Sequence, residues 1–313
     1  MKLVLVLSEN WTLTPPRDLR ALVDLAVVAE VAGFDAVMVC EHVVLGPSAG
    51  ANGIMGNPRD YAMPGNQDPA MPWPSSLILL SAIAATTTRL RLAACAVIAP
   101  LRHPLLLARE LGTLDILSEG RLIVQPTVSW HRDEYAALGV PFGERGARLD
   151  EHLAAWQAVW ASSPASFHGE HYRFEDAYLE PKAWRPEGPT IWLGGESVHA
   201  RLLRRIVCYA DGFHPLGQPS EEDMDRLRDG LAAAGRDLSE LELVGGMRAV
   251  FPDDASPSPL GPALSSLPAQ IARGFTTFCI KPSQFLDDVD RFPEWCDEVV
   301  TRTQEVADAH AHA

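Results

Sequence analysis

Short, nearly continuous apolar runs alternate with longer segments of helical period from one end of this chain to the other. Residues 2–7 (K-L-V-L-V-L) read as a strand buried on both faces. Thr14-Pro15-Pro16 predicts a helix start, because a proline there gives up no needed N–H. Leu19, Leu22, Val23 and Ala26 then form one apolar face over 17–32, and Gly33 stops it. Residues 36–40 are a second buried strand, which completes a βαβ unit of a parallel sheet. The alternation continues with strands at 90–98, 121–125, 190–193, 211–214, 241–251 and 275–280. Helices fall at 75–88, 103–117, 145–161, 197–209 and 221–234, and at 284–307 with a break near Pro293. Eight strands with helices between them predict a closed (β/α)8 TIM barrel. An open doubly wound sheet is disfavoured, since no G-x-G-x-x-G follows the first strand.

The barrel reads as a single domain over 1–307, with a disordered tail at 308–313. Three insertions break the rhythm: 44–74, with six Pro and five Gly; 162–189, with a hairpin-like piece at 167–174; and the Pro/Ser-rich 252–268. The first follows a strand, so it is expected on the C-terminal face of the barrel, where active sites sit.

A net charge of -15 argues against a nucleic-acid partner, because phosphates would be repelled. No apolar stretch approaches the roughly 20 residues of a membrane helix, and the first residues lead into a strand, unlike a signal peptide. The 5 cysteines are widely spaced, with no C-x-x-C pair, which suggests a reducing compartment. A cytoplasmic protein is expected, binding neither nucleic acid nor membrane.

Chemistry in such a barrel belongs at strand C-terminal ends. Glu41-His42 ends the second strand, where an imidazole can donate a hydrogen bond or shuttle a proton, or simply pack under the long loop. Gly194-Gly195-Glu196-Ser197 leads from strand to helix. It can serve as an anion site at a helix start, provided that Glu196 points away, or as a tight turn with an N-cap. Trp130, past another strand end, is either a pocket wall or packing. His168-Gly169-Glu170-His171 looks like a ligand set, but histidines three apart in a hairpin diverge, so no metal is expected. There is no G-x-S-x-G nucleophile elbow. The Trp156 and Trp160 stripe reads as core.

Several stretches carry a family likeness. They are Ala32-Gly33-Phe34-Asp35-Ala36-Val37 with Glu41-His42, Arg89-Leu90-Arg91-Leu92, and Pro100-Leu101-Arg102-His103-Pro104 through Gly120-Arg121-Leu122. Leu138-Gly139-Val140-Pro141-Phe142, Arg145 to Glu151, Phe167-His168-Gly169-Glu170, Pro189 to Gly195 and Ala210-Asp211-Gly212-Phe213 follow in order. Over roughly residues 2–215 the chain resembles the luciferase-like superfamily of flavin- and deazaflavin-dependent oxidoreductases, particularly its coenzyme F420-dependent branch. The resemblance implies a TIM barrel with the cofactor ring in the barrel mouth and His42 as the catalytic residue against ring or substrate. It implies a bulged, non-prolyl cis peptide near Ala96-Val97 behind the ring, and the cofactor phosphate at Gly194, Gly195, Glu196 and Ser197. Glu41 and Thr127 complete the expected cofactor contacts; Trp130 and His131 are the expected substrate contacts. A homodimer is also implied.

One stretch departs from the pattern. Where the family has a Gly-rich strand end resembling G-V-G-x-G-W, this chain reads Gln125-Pro126-Thr127-Val128-Ser129-Trp130, which adds side chains where a flat ring would approach. The glutamate that related deazaflavin sugar dehydrogenases carry near Trp130 is also missing at that spot, which argues against sugar oxidation by that route. The expected activity is hydride transfer between coenzyme F420 and a small organic substrate. The alternatives are an FMN-dependent two-component monooxygenase supplied by a separate reductase, and a non-catalytic flavin-binding protein.

Overall fold

The computed structural model describes residues 1–311. Its strands are β1 (Lys2–Val6), β2 (Ala36–Val39), β3 (Arg91–Ile98), β4 (Leu122–Thr127), β5 (Ala165–His168), β6 (Arg173–Ala177), β7 (Thr190–Leu193), β8 (Gly212–Phe213), β9 (Glu242–Gly246) and β10 (Thr277–Ile280). The helices are α1 (Leu19–Ala32), α2 (Ser76–Thr86), α3 (Pro104–Leu117), α4 (Arg132–Ala137), α5 (Arg145–Ala161), α6 (Ala200–Tyr209), α7 (Glu221–Ala233), α8 (Leu260–Leu264), α9 (Leu267–Ala272) and α10 (Phe292–Ala311). Eight strands form a closed barrel in the order β1-β10-β9-β8-β7-β4-β3-β2, and β5 and β6 form a separate hairpin. The expected (β/α)8 barrel is therefore present, with the 162–189 insertion as its antiparallel hairpin.

By its internal contacts the chain divides into two units. The first comprises Met1–Met38, Met55–Tyr61 and Trp192–Ala313. Here β1 pairs in parallel with β2 on one side and β10 on the other, and its residues from Leu3 onward are buried, as its unbroken apolar run requires. Helix α1 starts at the Asp18 cap, whose carboxylate accepts from the Ala21 amide, three residues beyond the expected proline start. It ends at Gly33, whose φ of 105° is the left-handed cap predicted for a glycine there.

Three expectations in this unit are corrected. The Pro/Ser-rich 252–268 segment carries α8 and the start of α9. The last helix does not begin at 284: two 3-10 turns precede α10, and Pro293 falls in its first turn, where proline is tolerated. The same helix runs to Ala311, through most of the tail expected to be disordered, and 312–313 lie outside the described residues. Arg59 ties its loop to Asp287, with Nε to Oδ1 at 2.9 Å, and to the Ala255 carbonyl at 2.7 Å.

The second unit comprises Val39–Ile54 and Ala62–Ile191. Helices α2, α3 and α5 and strands β3 and β4 are its frame. Arg121 explains the Gly-Arg at the start of β4: its guanidinium donates to the carbonyls of Ser118 (2.8 Å), Leu90 (2.9 Å) and Ala84 (3.0 Å), satisfying groups at the end of α2 and beyond. Trp156 and Trp160 are buried, as their helical stripe predicted. Strand β3 carries one more residue than β4, because Cys95 faces Gln125 while Val97 faces Pro126. Ala96 is that extra residue, and the Cys95-Ala96 peptide is cis, at the place the resemblance implied. Among the described residues no helix is long and apolar enough to cross a membrane.

Candidate active site

His42 follows β2, at the C-terminal end where the barrel presents reactive groups. Its ring is 9% exposed as a residue and is enclosed by edge-on aromatic contacts: Trp73 at 5.1 Å, Trp130 at 5.8 Å and His131 at 6.2 Å between centroids. Trp73 comes from the long 44–74 loop, so that loop does wall the imidazole, as its position after a strand suggested. Trp130 is half-buried against the same ring.

Beneath His42 lies a residue the sequence reading did not single out. Glu134 of α4 is completely buried, with Oε2 at 3.3 Å from His42 Nδ1. Its Oε1 accepts the backbone N–H of Val43 at 2.5 Å and of Val44 at 3.4 Å, and Ser129 Oγ stands 3.4 Å from Oε2. A buried carboxylate is tolerable only with such donors around it. The available signal was the run Trp130-His131-Arg132-Asp133-Glu134, dense in polar groups immediately after a barrel strand. Trp73, between two prolines at the end of the long loop, was a second unread signal.

Glu41 does not fit the cofactor contact expected of it. Its carboxylate takes a two-pronged ion pair from Arg102, with both N–O distances at 2.8 Å, and accepts from the Ile98 amide at 3.0 Å and Ser76 Oγ at 3.2 Å. These donors fill the carboxylate's lone pairs, so Glu41 ties the end of β2 to the end of β3. His131 is also engaged by the protein. It is fully buried, and its Nε2 accepts the Gly46 amide at 2.7 Å, which makes it a latch for the loop. Burial holds its imidazole below the ordinary value, opposed by the Asp133 and Glu134 carboxylates. Since Nε2 accepts, the proton sits on Nδ1, which is buried without a hydrogen-bond partner. Trp73 Nε1 is a second buried donor without one. Asp133 adds to the latch by accepting the Ser48 amide at 2.9 Å, which holds its carboxyl below the usual range.

Of the expected ring contacts, Val97 is fully buried in the barrel wall, whereas Ala96 and Thr127 are half-buried at the ends of β3 and β4. His168 and His171 diverge as expected: the first meets Glu175 and the second stands 3.5 Å from Glu144.

The Gly194 to Ser197 turn belongs to the first unit. A Cβ on Gly194 would lie 1.6 Å from the His214 carbonyl oxygen, so the glycine is required by the approach of the chain after β8, a packing reason rather than a ligand one. Helix α6 begins at Ala200, three residues later than expected, and His199 caps it by accepting from the Leu202 amide. The Val198 amide donates to Asp223 at 2.7 Å. Gly195, Glu196 and Ser197 are thus left as the turn's ligand-facing candidates, with the last two exposed.

Comparison with known proteins adds the following. Residues 2–256 match the family model for luciferase-like monooxygenases. An FMNH2-dependent dimethylsulfone monooxygenase of Pseudomonas putida is 35% identical over 166 residues, covering 51% of this chain and 45% of that protein. An F420-dependent glucose-6-phosphate dehydrogenase of Nakamurella multipartita is 31% identical over 245 residues, covering 74% of this chain and 64% of that one. The matches thus span about half to two thirds of the length of these curated relatives. Among solved structures, a monooxygenase of Streptomyces bottropensis superposes with a TM-score of 0.70 at 20% identity, over 95% of both chains, and shows the shared fold.

Proposed function

Because the chain belongs to the luciferase-like monooxygenase family, we propose that it is an oxidoreductase that transfers a hydride between coenzyme F420 and a small organic substrate, with His42 as its proton-handling residue. The observation that carries this reading is the buried His42–Glu134 pair walled by two tryptophans. An imidazole backed by a carboxylate and enclosed by aromatic rings is suited to moving a proton.

The residues present suit a tricyclic cofactor. Trp73 Nε1 and His131 Nδ1 are buried donors in want of acceptors, and a deazaflavin or flavin ring is rich in carbonyl and ring-nitrogen acceptors. When bound, a deazaflavin supplies hydride transfer and a reduced flavin supplies oxygen activation. The protein's own part is to bind, to orient and to exclude water. Trp73 and Trp130 shield the imidazole, and Ala96 and Thr127 would border the ring of a bound cofactor. His42 holds or moves the proton. The F420-dependent relative supports the cofactor.

A second reading is favoured by the dimethylsulfone monooxygenase relative: FMN as cofactor, oxygen as co-substrate, and a separate reductase supplying reduced flavin. Titration of the full chain with each cofactor, followed by fluorescence quenching, decides between them. Tight binding of F420 alone supports hydride transfer; tight binding of FMN alone transfers the assignment to oxygenation; binding of neither removes the enzyme reading. His42→Ala is expected to keep cofactor affinity and lose about 100-fold or more in turnover. Full turnover in that variant would end the role given to His42.

A further inference from the structure

Glu134 lies outside every residue expected from the sequence or the family resemblance, yet it is the one charged group that touches the His42 ring among the described residues. A carboxylate can only accept, so the ring nitrogen facing it must carry a proton. That nitrogen is Nδ1, at 3.3 Å from Oε2. The opposite ring orientation would set a carbon against the carboxylate and discard the hydrogen bond. The carboxylate is itself held from turning away, because its other oxygen takes the Val43 and Val44 amides at 2.5 and 3.4 Å. The tryptophan edges, at 75° and 79° to the imidazole plane, confine the ring from the sides. Nε2 makes no hydrogen bond to the protein among the described residues.

We infer that Glu134 is a positioning residue that fixes His42 as its Nδ1–H tautomer, so that Nε2 meets its reacting partner as a hydrogen-bond acceptor. This rests on the role proposed above for His42 and deepens it. The group that His42 recognises in its neutral form is then an O–H or N–H, as in an alcohol or amine, and not a bare carbonyl or sulfone oxygen. The order of chemical events follows from the same geometry: a proton arriving at Nε2 produces an imidazolium whose charge Glu134 already faces.

The test is long-range proton–nitrogen NMR of the imidazole groups in the nitrogen-15-labelled full chain, without cofactor, with the His42 signals assigned by their loss in His42→Gln. In the unsubstituted protein at mildly alkaline pH, His42 is expected to show a protonated Nδ1 and an unprotonated Nε2. In Glu134→Gln the side-chain oxygen keeps the Val43 amide while its NH2 donates to Nδ1, so the pattern inverts and the proton moves to Nε2. Glu134→Asp keeps an acceptor and is expected to restore the original pattern. A protonated Nε2 in the unsubstituted chain, or the same pattern in Glu134→Gln as in the parent, overturns the inference. If Glu134→Gln fails to fold, the parent spectrum alone still decides. The readout needs no cofactor, so failure of the cofactor titration and failure of this inference are separate results.

Discussion

Arg102 grips both oxygens of Glu41, and the pair is reinforced by an amide and a hydroxyl, so removing the guanidinium would strand a buried carboxylate. The Arg102 side chain is 26% exposed, which tempers the cost through solvent screening. Arg102→Ala is expected to lower the unfolding free energy by about 2–3 kcal/mol, below the full penalty for breaking a buried pair. Urea unfolding checks this; a loss under about 1 kcal/mol would mean that Glu41 rearranges to water. Glu41→Gln should be milder, since the amide keeps one acceptor and carries no charge to strand. Neither substitution alters the His42 side chain, so each is expected to act on stability more than on cofactor affinity, which separates Glu41 from the role proposed for its neighbour in sequence.

At the level of elements, the turn after β7 offers two adjacent glycines with different reasons to exist. Gly194 faces the backbone of the segment after β8, where no side-chain rotation can relieve an added methyl. An ideal Cβ on Gly195 would lie 3.4 Å from a methyl of Leu202 and 3.9 Å from the Ser197 carbonyl oxygen, both ordinary contacts. Gly194→Ala is therefore expected to destabilise by about 3 kcal/mol or prevent folding, whereas Gly195→Ala stays within about 1 kcal/mol of the parent. Thermal unfolding reads both. The second variant then becomes a clean probe of phosphate binding: weakened F420 or FMN affinity at unchanged stability supports a ligand role for the turn, and unchanged affinity removes it. The loop after β2 is governed by the same kind of local bookkeeping, with His131, Asp133 and Glu134 each holding a backbone amide of the 43–48 segment.

For the molecule as a whole, pH enters through histidines buried as neutral rings. Burial pushes His152 and His214 down to about 4 and holds His131 below its ordinary 6.5. These rings take up protons more readily when unfolded, so their effect on stability is absent above about pH 6.5 and grows as the pH falls from there towards 4. Stability is thus expected to decline across that window, by up to about 1.4 kcal/mol per pH unit for each proton taken up on unfolding. The depressed carboxylates Asp133, Asp223 and Asp253 act in the next window: their contribution is present above their ordinary 3.8 and is lost as pH falls through the lower folded values. Denaturant unfolding between pH 7 and 4 measures the histidine part, and His131→Asn should flatten its slope. A level profile from pH 6.5 to 4.5 would contradict the buried neutral rings.

Periodicity determined a parallel sheet, because a run such as Leu3 to Val6 is buried on both faces only where helices cover both sides, and the count of eight strands without a G-x-G-x-x-G pointed to its closure as a barrel. It also located His42, since the last residues of a barrel strand are legible wherever the strand is. Turn chemistry fixed Gly33 but missed the Asp18 cap, because two prolines were the louder local signal. The roles of Glu41, His131 and Gly194 could not be read in one dimension. Each is set by a partner distant in sequence or in the neighbouring strand connection: Arg102, the Gly46 amide and the His214 carbonyl. Glu134 was hidden for the same reason, 92 residues from the imidazole it supports. The sequence states which residue types are available at each strand end. Only the tertiary structure decides which of them have already spent their hydrogen bonds on the protein and which, like His42, keep a nitrogen in reserve.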